Sequence, residues 1–170
     1  MHAEIERVIE ASGLQWTFLR PGMFATNALL WWAPQIRAGN VVRWPYAEAP
    51  TAPIDERDIA AVAARMLCEE GHGGEDHVLT GPQSLSQSEQ VSIIGEVIGR
   101  SLCFEEISPD EARRDLLNMM PLPIINMLLN AWAAGLGQPA FVTSAVAEIT
   151  GKAARTFRAW AIDHAADFGR

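Results

Sequence analysis

The stretch Gln15-Trp-Thr-Phe-Leu-Arg-Pro-Gly22 decides the fold. Its β-branched and aromatic content from Gln15 to Leu19 leaves no polar face, the pattern of a strand covered on both sides in a parallel sheet, and Arg20-Pro21-Gly22 ends it. Before it, Ile5, Val8, Ile9 and Ser12 recur at helical spacing, Glu4, Glu6 and Glu10 take the remaining faces, and Gly13 stands where a C-cap belongs. After it, the pattern from Met23 to about Arg37 is helical. The turn from Arg20 to Asn27 thus lies beyond the carboxyl end of a buried strand, the place where open α/β sheets hold ligands.

Further along, Gly39-Asn40 turns the chain, Val41 to Trp44 reads as a short strand or extended loop, and Pro45, Pro50 and Pro53 make the next stretch irregular. Asp55 caps a helix, with Asp58 near the positive end of its dipole and Ile59, Val62, Ala63, Met66 and Leu67 as the expected buried stripe. Gly71 to Gly74 closes that helix, His77 to Thr80 reads as a strand, and Gly81-Pro82 turns it. Ser86-Gln-Ser-Glu89 and Ser108-Pro-Asp-Glu111 are capping boxes, opening helices that reach Gly99 and about Met120, with a strand from Leu102 to Ile107 between them. Pro121 and Pro123 then interrupt, and the remainder is helical over Ile124 to Ala134, Val142 to Thr150 and Thr156 to Phe168. Strands alternating with helices, then helices alone, define an α/β chain with a helix-rich end.

At 170 residues the chain suits a single domain, 1–170, with a sizeable core. Hydrophobic residues are 49% and charged residues 20%, which excludes global disorder. Thirteen Lys plus Arg against 21 Asp plus Glu give a net charge of −8, which disfavours a nucleic-acid partner. Cys68 and Cys103 form no Cys-x-x-Cys pair and are expected in apolar surroundings; with no secretory leader in view, a cytoplasmic location is expected. The longest apolar runs are too short for a transmembrane segment, so no membrane partner is expected.

Several segments stand out by their order and wording: His2, Ile9-Glu-Ala-Ser-Gly13, Trp16-Thr-Phe-Leu-Arg-Pro-Gly-Met-Phe24 and Asn27, then Pro53-Ile-Asp-Glu-Arg-Asp-Ile-Ala60, Leu79-Thr-Gly-Pro82, Ile98-Gly-Arg100, Ile149-Thr-Gly151, Arg155-Thr-Phe157 and Trp160. Together they resemble the C-terminal half of NmrA-like proteins, the atypical short-chain dehydrogenase/reductase family that includes NADPH-dependent quinone reductases. The resemblance implies a partial NAD(P)-binding Rossmann-like fold lacking the N-terminal dinucleotide-binding βαβ units and keeping a helix-rich substrate region. It implies NADP or NAD as the family's cofactor, bound weakly or not at all by this chain alone. It implies that Pro21, Gly22, Met23, Phe24 and Asn27 border nicotinamide and substrate, with Asn27 as the polar contact. His2 aligns with a helix position that often carries Lys or another polar residue, so it is a candidate for proton transfer or cofactor contact.

Two family features are missing. Gly135-Leu-Gly-Gln-Pro-Ala140 matches a G-x-G-x-x-A fingerprint in letters, yet it follows a helical segment rather than a strand. The Tyr-x-x-x-Lys pair used by many short-chain dehydrogenases cannot form, because Tyr46 has Pro50 four residues on and the single lysine is Lys152. The strand at Gln15 to Leu19 would sit at the centre of the parent sheet. Its missing neighbours would leave backbone groups unpaired, so a homodimer or a complementing N-terminal half is expected, whether from a truncation or an internal start.

Each other candidate has a bland alternative. Pro21-Gly22 can simply turn the chain while Met23 and Phe24 fill the core. Asp55 and Asp58 suit a helix N-terminus better than a catalytic pair. Cys68, His72 and His77 with Glu70, Glu75 and Asp76 match no standard zinc spacing, so no metal site is expected. Val146 to His164 has the outline of a helix-turn-helix with Lys152, Arg155 and Arg158, against which stand the acidic charge and the apolar Phe157, Trp160 and Phe168. The leading function is the substrate-binding portion of an NAD(P)-dependent oxidoreductase acting on a quinone or conjugated carbonyl. The rivals are a noncatalytic, redox-sensing regulator and a cofactor-free enzyme holding a polycyclic substrate among Trp16, Phe24, Trp31, Trp32 and Trp44.

Overall fold

The computed structural model describes residues 2–169. Helix α1 (His2–Ala11) leads into strand β1 (Thr17–Pro21), then two short helices, α2 (Asn27–Trp31) and α3 (Ala33–Ala38), strands β2 (Val41–Trp44) and β3 (Pro50–Thr51), and helix α4 (Glu56–Cys68). Strands β4 (Glu75–Leu79) and β5 (Leu85–Ser86), helix α5 (Gln87–Ile98), strand β6 (Cys103–Glu106) and helices α6 (Pro109–Leu116), α7 (Leu122–Gly135), α8 (Ala145–Thr150) and α9 (Phe157–Asp163) follow, with a 3-10 turn over Ala165–Phe168. His2 opens α1, and its side chain lies outside what the structure describes, so its candidacy is carried no further.

The strands form three pairs: β1 and β4 parallel with Pro21 opposite Leu79, β2 and β6 parallel with Trp44 opposite Glu106, and β3 and β5 antiparallel. The larger core gathers α2, α3, β2, α5, α6, α7 and α9; a smaller one joins Ile54, Val62, Leu79 and Val146 behind β1 and β4. At the centre of the larger core Trp31 stacks on Trp44 at 5.4 Å, and Trp132 meets both edge-on. The indole N–H groups of Trp31, Trp32, Trp44 and Trp132 are buried without a hydrogen-bond acceptor among the described residues. Near-perpendicular pairs, 84° for Trp31 with Trp132 and 88° for Trp32 with Trp44, set indole edges against ring faces, which offsets part of that cost.

Several expectations are corrected. The single helix from Met23 to Arg37 is two, because Phe24 forms a parallel bridge to Ile54 and Pro34 falls in the first turn of α3. The expected helix over Val142 to Thr150 starts only at Ala145, and that over Thr156 to Phe168 ends at Asp163 before the 3-10 turn. Leu67 is 87% exposed rather than part of α4's buried stripe. Cys68 and Cys103 are both exposed, not set in apolar surroundings, because they close α4 and open β6 at the surface. The five-aromatic pocket does not assemble: Trp16 stacks on Phe18, while Trp31, Trp32 and Trp44 are core. Among the described residues no helix is long and apolar enough to cross a membrane.

Candidate functional site

The turn after β1 is built by backbone before any side chain takes part. Gly22 N–H donates to the Leu79 carbonyl at 2.8 Å, which carries the β1–β4 register one step past Pro21. Ile54 then clamps the turn from both sides: its N–H donates to Met23 O at 2.9 Å and its carbonyl accepts from Ala25 N–H at 2.8 Å. Phe24 is left between these bonds, 39% exposed, while Ala25 and Ala28 go into the core. Pro21, Met23 and Asn27 are half-buried and Gly22 is exposed. The structure therefore brings Pro21, Gly22, Met23, Phe24 and Asn27 together on one turn at the carboxyl end of β1.

Asn27 begins α2, and its Nδ2 lies 3.0 Å from Met23 Sδ. A thioether is a weak acceptor, so this amide N–H is readily exchanged for a carbonyl oxygen at the same edge. Met23 also packs against the larger core, so the turn fills part of the interior, while Phe24 stays partly exposed beside it.

Behind the turn, Ile54 leads directly into the cap of α4. The Asp55 carboxylate, 1% exposed, accepts from Arg57 N–H at 2.9 Å and from the Arg57 and Arg155 side chains. Burial pushes its carboxyl up, but hydrogen bonds from the Arg57 side chain and backbone and the charges of Arg57 and Arg155 outweigh this and hold it below the ordinary carboxylate range. Asp58, also buried, accepts from Arg155 N–H at 2.7 Å; burial and the neighbouring Asp55 charge hold it above that range despite the Arg155 contact. Asp163 of α9 accepts from Arg57 and Arg155 and is held low by them. Asp55 and Asp58 thus tie Arg155, just before α9, to the start of α4, and Asp163 joins them through Arg57 and Arg155. Sequence reasoning found the cap and missed Arg155 and Asp163, which lie about a hundred positions away and carry no local signal.

The remaining candidates sit apart from this turn. His72 and His77 both reach Glu75, at 3.2 and 3.0 Å, in the loop and strand that follow α4. In the helix-turn-helix outline, Phe157, Trp160 and Ala161 of α9 are buried, Arg155 is bound to Asp55 and Asp163, and Arg158 pairs with Glu96. Gly135 ends α7, and Gly137 has φ of 78° in an irregular segment, so the G-x-G letters do not open a helix.

Alternating strands and helices with parallel pairing place this chain in the α/β fold class. The NmrA-like family model matches residues 1–138. The chain belongs to the NmrA-like family. It is 42% identical over 166 residues to the (4-alkanoyl-5-oxo-2,5-dihydrofuran-3-yl)methyl phosphate reductase of Streptomyces griseus, covering 97% of this chain and 58% of that one. It is 35% identical to the NAD(P)H azoreductase of Xenophilus azovorans, covering 98% of this chain and again 58% of the relative. In fold it is similar to an NADPH-dependent quinone oxidoreductase of Escherichia coli, with a TM-score of 0.78 at 23% identity over 94% of this chain and 58% of that chain. The chain therefore spans less than two thirds of the length of these relatives.

Proposed function

We propose that residues 1–170 form the substrate-side portion of an NAD(P)-dependent oxidoreductase that reduces a quinone or similar conjugated carbonyl, and that they hold the cofactor weakly without further structure. The observation that carries this is the turn from Pro21 to Asn27, clamped on Ile54 and presenting an apolar wall with one weakly engaged amide donor. The names of the relatives in Streptomyces and Xenophilus, both reductases, support the reaction class.

When bound, the nicotinamide supplies the hydride. This chain's residues would do the rest of the positioning: Pro21, Met23 and Phe24 would border the ring and exclude water, and the Asn27 amide would donate to a substrate carbonyl oxygen. Phosphate binding is another matter. Among the described residues no Gly-rich loop runs from a strand into a helix N-terminus, the arrangement that cradles a pyrophosphate. Among the described residues β1 pairs only with β4, and beside it an open groove of about 1010 Å³ runs between β1 and α4, lined by Trp16, Leu19, Met66 and Leu67. Such an edge and groove suit a further parallel strand and helix, from an N-terminal half or from a second copy.

Calorimetric titration of the 170-residue chain with NADPH tests the cofactor reading, with dissociation in the millimolar range expected. Tight binding of a whole NADPH by a single copy overturns it. NADPH oxidation with a panel of quinones, with this chain joined to a dinucleotide-binding half, tests the reaction; Asn27→Ala is expected to lower kcat/KM about tenfold to a hundredfold, the loss of one oriented hydrogen bond. No turnover with any quinone, alongside retained nucleotide binding, favours the regulatory reading.

A further inference from the structure

We infer that the phenol of Tyr46 is a second hydrogen-bond donor to the substrate, held by a strained turn at the Asn27 end of α2. This rests on the substrate-side reading above and adds a recognition element to it. Among the described residues Tyr46, with φ of 56°, is the one residue other than glycine whose φ is positive. For a bulky aromatic residue the left-handed conformation is rare and costly, and it persists only where the surroundings over-determine it.

The surroundings do so here. Gln87, 2% exposed, commits its side-chain amide to this turn, donating to Pro45 O at 3.0 Å and to Tyr46 O at 3.1 Å. Ala49 N–H also donates to Tyr46 O at 3.0 Å, and Ser88 N–H to Ala47 O at 3.0 Å. These bonds all end on backbone carbonyls, which glycine or asparagine would supply as well and without the strain. What the turn retains at a cost is therefore the side chain. Its half-buried ring packs against the larger core, a task that phenylalanine would perform equally. The hydroxyl is left over: it has no hydrogen-bond partner among the described residues and is not buried.

Its place in the fold gives the hydroxyl a task. Gln35 Oε1 accepts from Arg43 N–H at 2.8 Å and Trp31 stacks on Trp44 at 5.4 Å, so β2 advances as α2 and α3 recede. One helical turn back from Trp31, on the same face of α2, stands Asn27; two residues on from Trp44 stands Tyr46. Met23, the contact of the Asn27 amide, packs against the same core as Tyr46. From Tyr46 the chain passes through β3 to Ile54, whose backbone clamps Met23 and Ala25. The turn carrying Tyr46 and the turn carrying Asn27 are thus fastened to one another. A flat ring with an oxygen on each side would meet one donor from each, which favours a quinone over a substrate with a single carbonyl.

Equilibrium dialysis of the 170-residue chain tests this, with duroquinone as the probe and p-xylene as a methylated ring without oxygen. Tyr46→Phe is expected to weaken duroquinone binding about threefold to tenfold, the loss of one hydrogen bond, while p-xylene binding and the urea midpoint stay as they were. Asn27→Ala is expected to weaken duroquinone binding on the same scale. A chain that binds no duroquinone overturns the substrate-side reading and this inference together. Weakening by Asn27→Ala but not by Tyr46→Phe overturns this inference alone. So does a Tyr46→Phe variant that loses p-xylene equally or unfolds at lower urea, since the hydroxyl then serves the fold rather than the ligand.

Discussion

Gly81 has no room for a side chain: a Cβ built on its backbone falls 2.0 Å from the Pro53 carbonyl oxygen. Its own N–H donates to Ala52 O at 3.1 Å, so the segment leading to the Ile54 clamp lies directly against the end of β4. Gly22 differs, since its Cβ would stand 3.6 Å from Leu79 O, an ordinary contact. Gly81→Ala is therefore expected to cost at least about 2 kcal/mol in urea unfolding, within the range for forced overpacking, and to loosen the clamp. Gly22→Ala is expected to change stability by less than about 0.5 kcal/mol, as surface substitutions do. Equal costs for the two would show that backbone approach is not what holds the turn. Both glycines stand out in the sequence beside a proline, but only the fold tells them apart, because the closeness at Gly81 comes from a segment almost thirty positions earlier. For Asn27 the position beyond a strand was legible, while its contact with Met23 depends on the helix starting four residues later than the apolar period indicates.

At the scale of elements, the ion-pair network of Asp55, Arg57, Arg155 and Asp163 ties α4 to α9 and makes their association depend on pH. Asp55 and Asp163 are held below the ordinary carboxylate range, so the stability they add is complete above about pH 4 and is lost as the pH falls through their folded values. Asp58 has the opposite sign. It is held high, so its contribution is complete below about pH 4 and declines as the pH rises through its folded value. Asp58→Asn keeps an acceptor for Arg155 N–H without the buried charge and is expected to be neutral or stabilising at pH 7. Asp55→Asn weakens the cap and leaves two guanidinium groups with a poorer partner. It is expected to cost about 1–2 kcal/mol at pH 7, the scale of a lost cap, and to flatten the decline of the thermal midpoint between about pH 4 and pH 2. A loss of similar size for D58N would contradict the assignment of the cost to burial. The caps themselves were legible: Asp55, Ser86 and Ser108 each accept the N–H that their spacing predicts, because capping is decided within four residues. The late start of α2 was hidden, since the apolar period runs through Met23 to Ala25 and the competing bonds there are to Ile54, whereas the break between α2 and α3 falls just before Pro34. Trp132 joins Trp31 and Trp44 only through tertiary packing, so its place in the core was equally out of reach of local pattern.

Across the whole molecule, apolar burial is unevenly divided. The larger core locks α2, α3, β2, α5, α6, α7 and α9 around the four indoles, whereas the smaller cluster rests on Ile54, Val62, Leu79 and Val146 and borders the open groove. Opening the β1, β4, α4 and α8 layer exposes little buried apolar surface, and β1 has one hydrogen-bonded neighbour to lose. Local opening free energy follows buried contacts. Native-state hydrogen exchange is therefore expected to release the amides of β1 and β4 well before those of α5 and α7, which should exchange only through global unfolding. The same division makes a partner at the strand edge readable. A strand and helix docking on the free edge of β1 raise protection in β1 and α4 more than in α7. Uniform protection across both layers would mean that the smaller cluster is coupled to the tryptophan core more tightly than its four buried residues can account for.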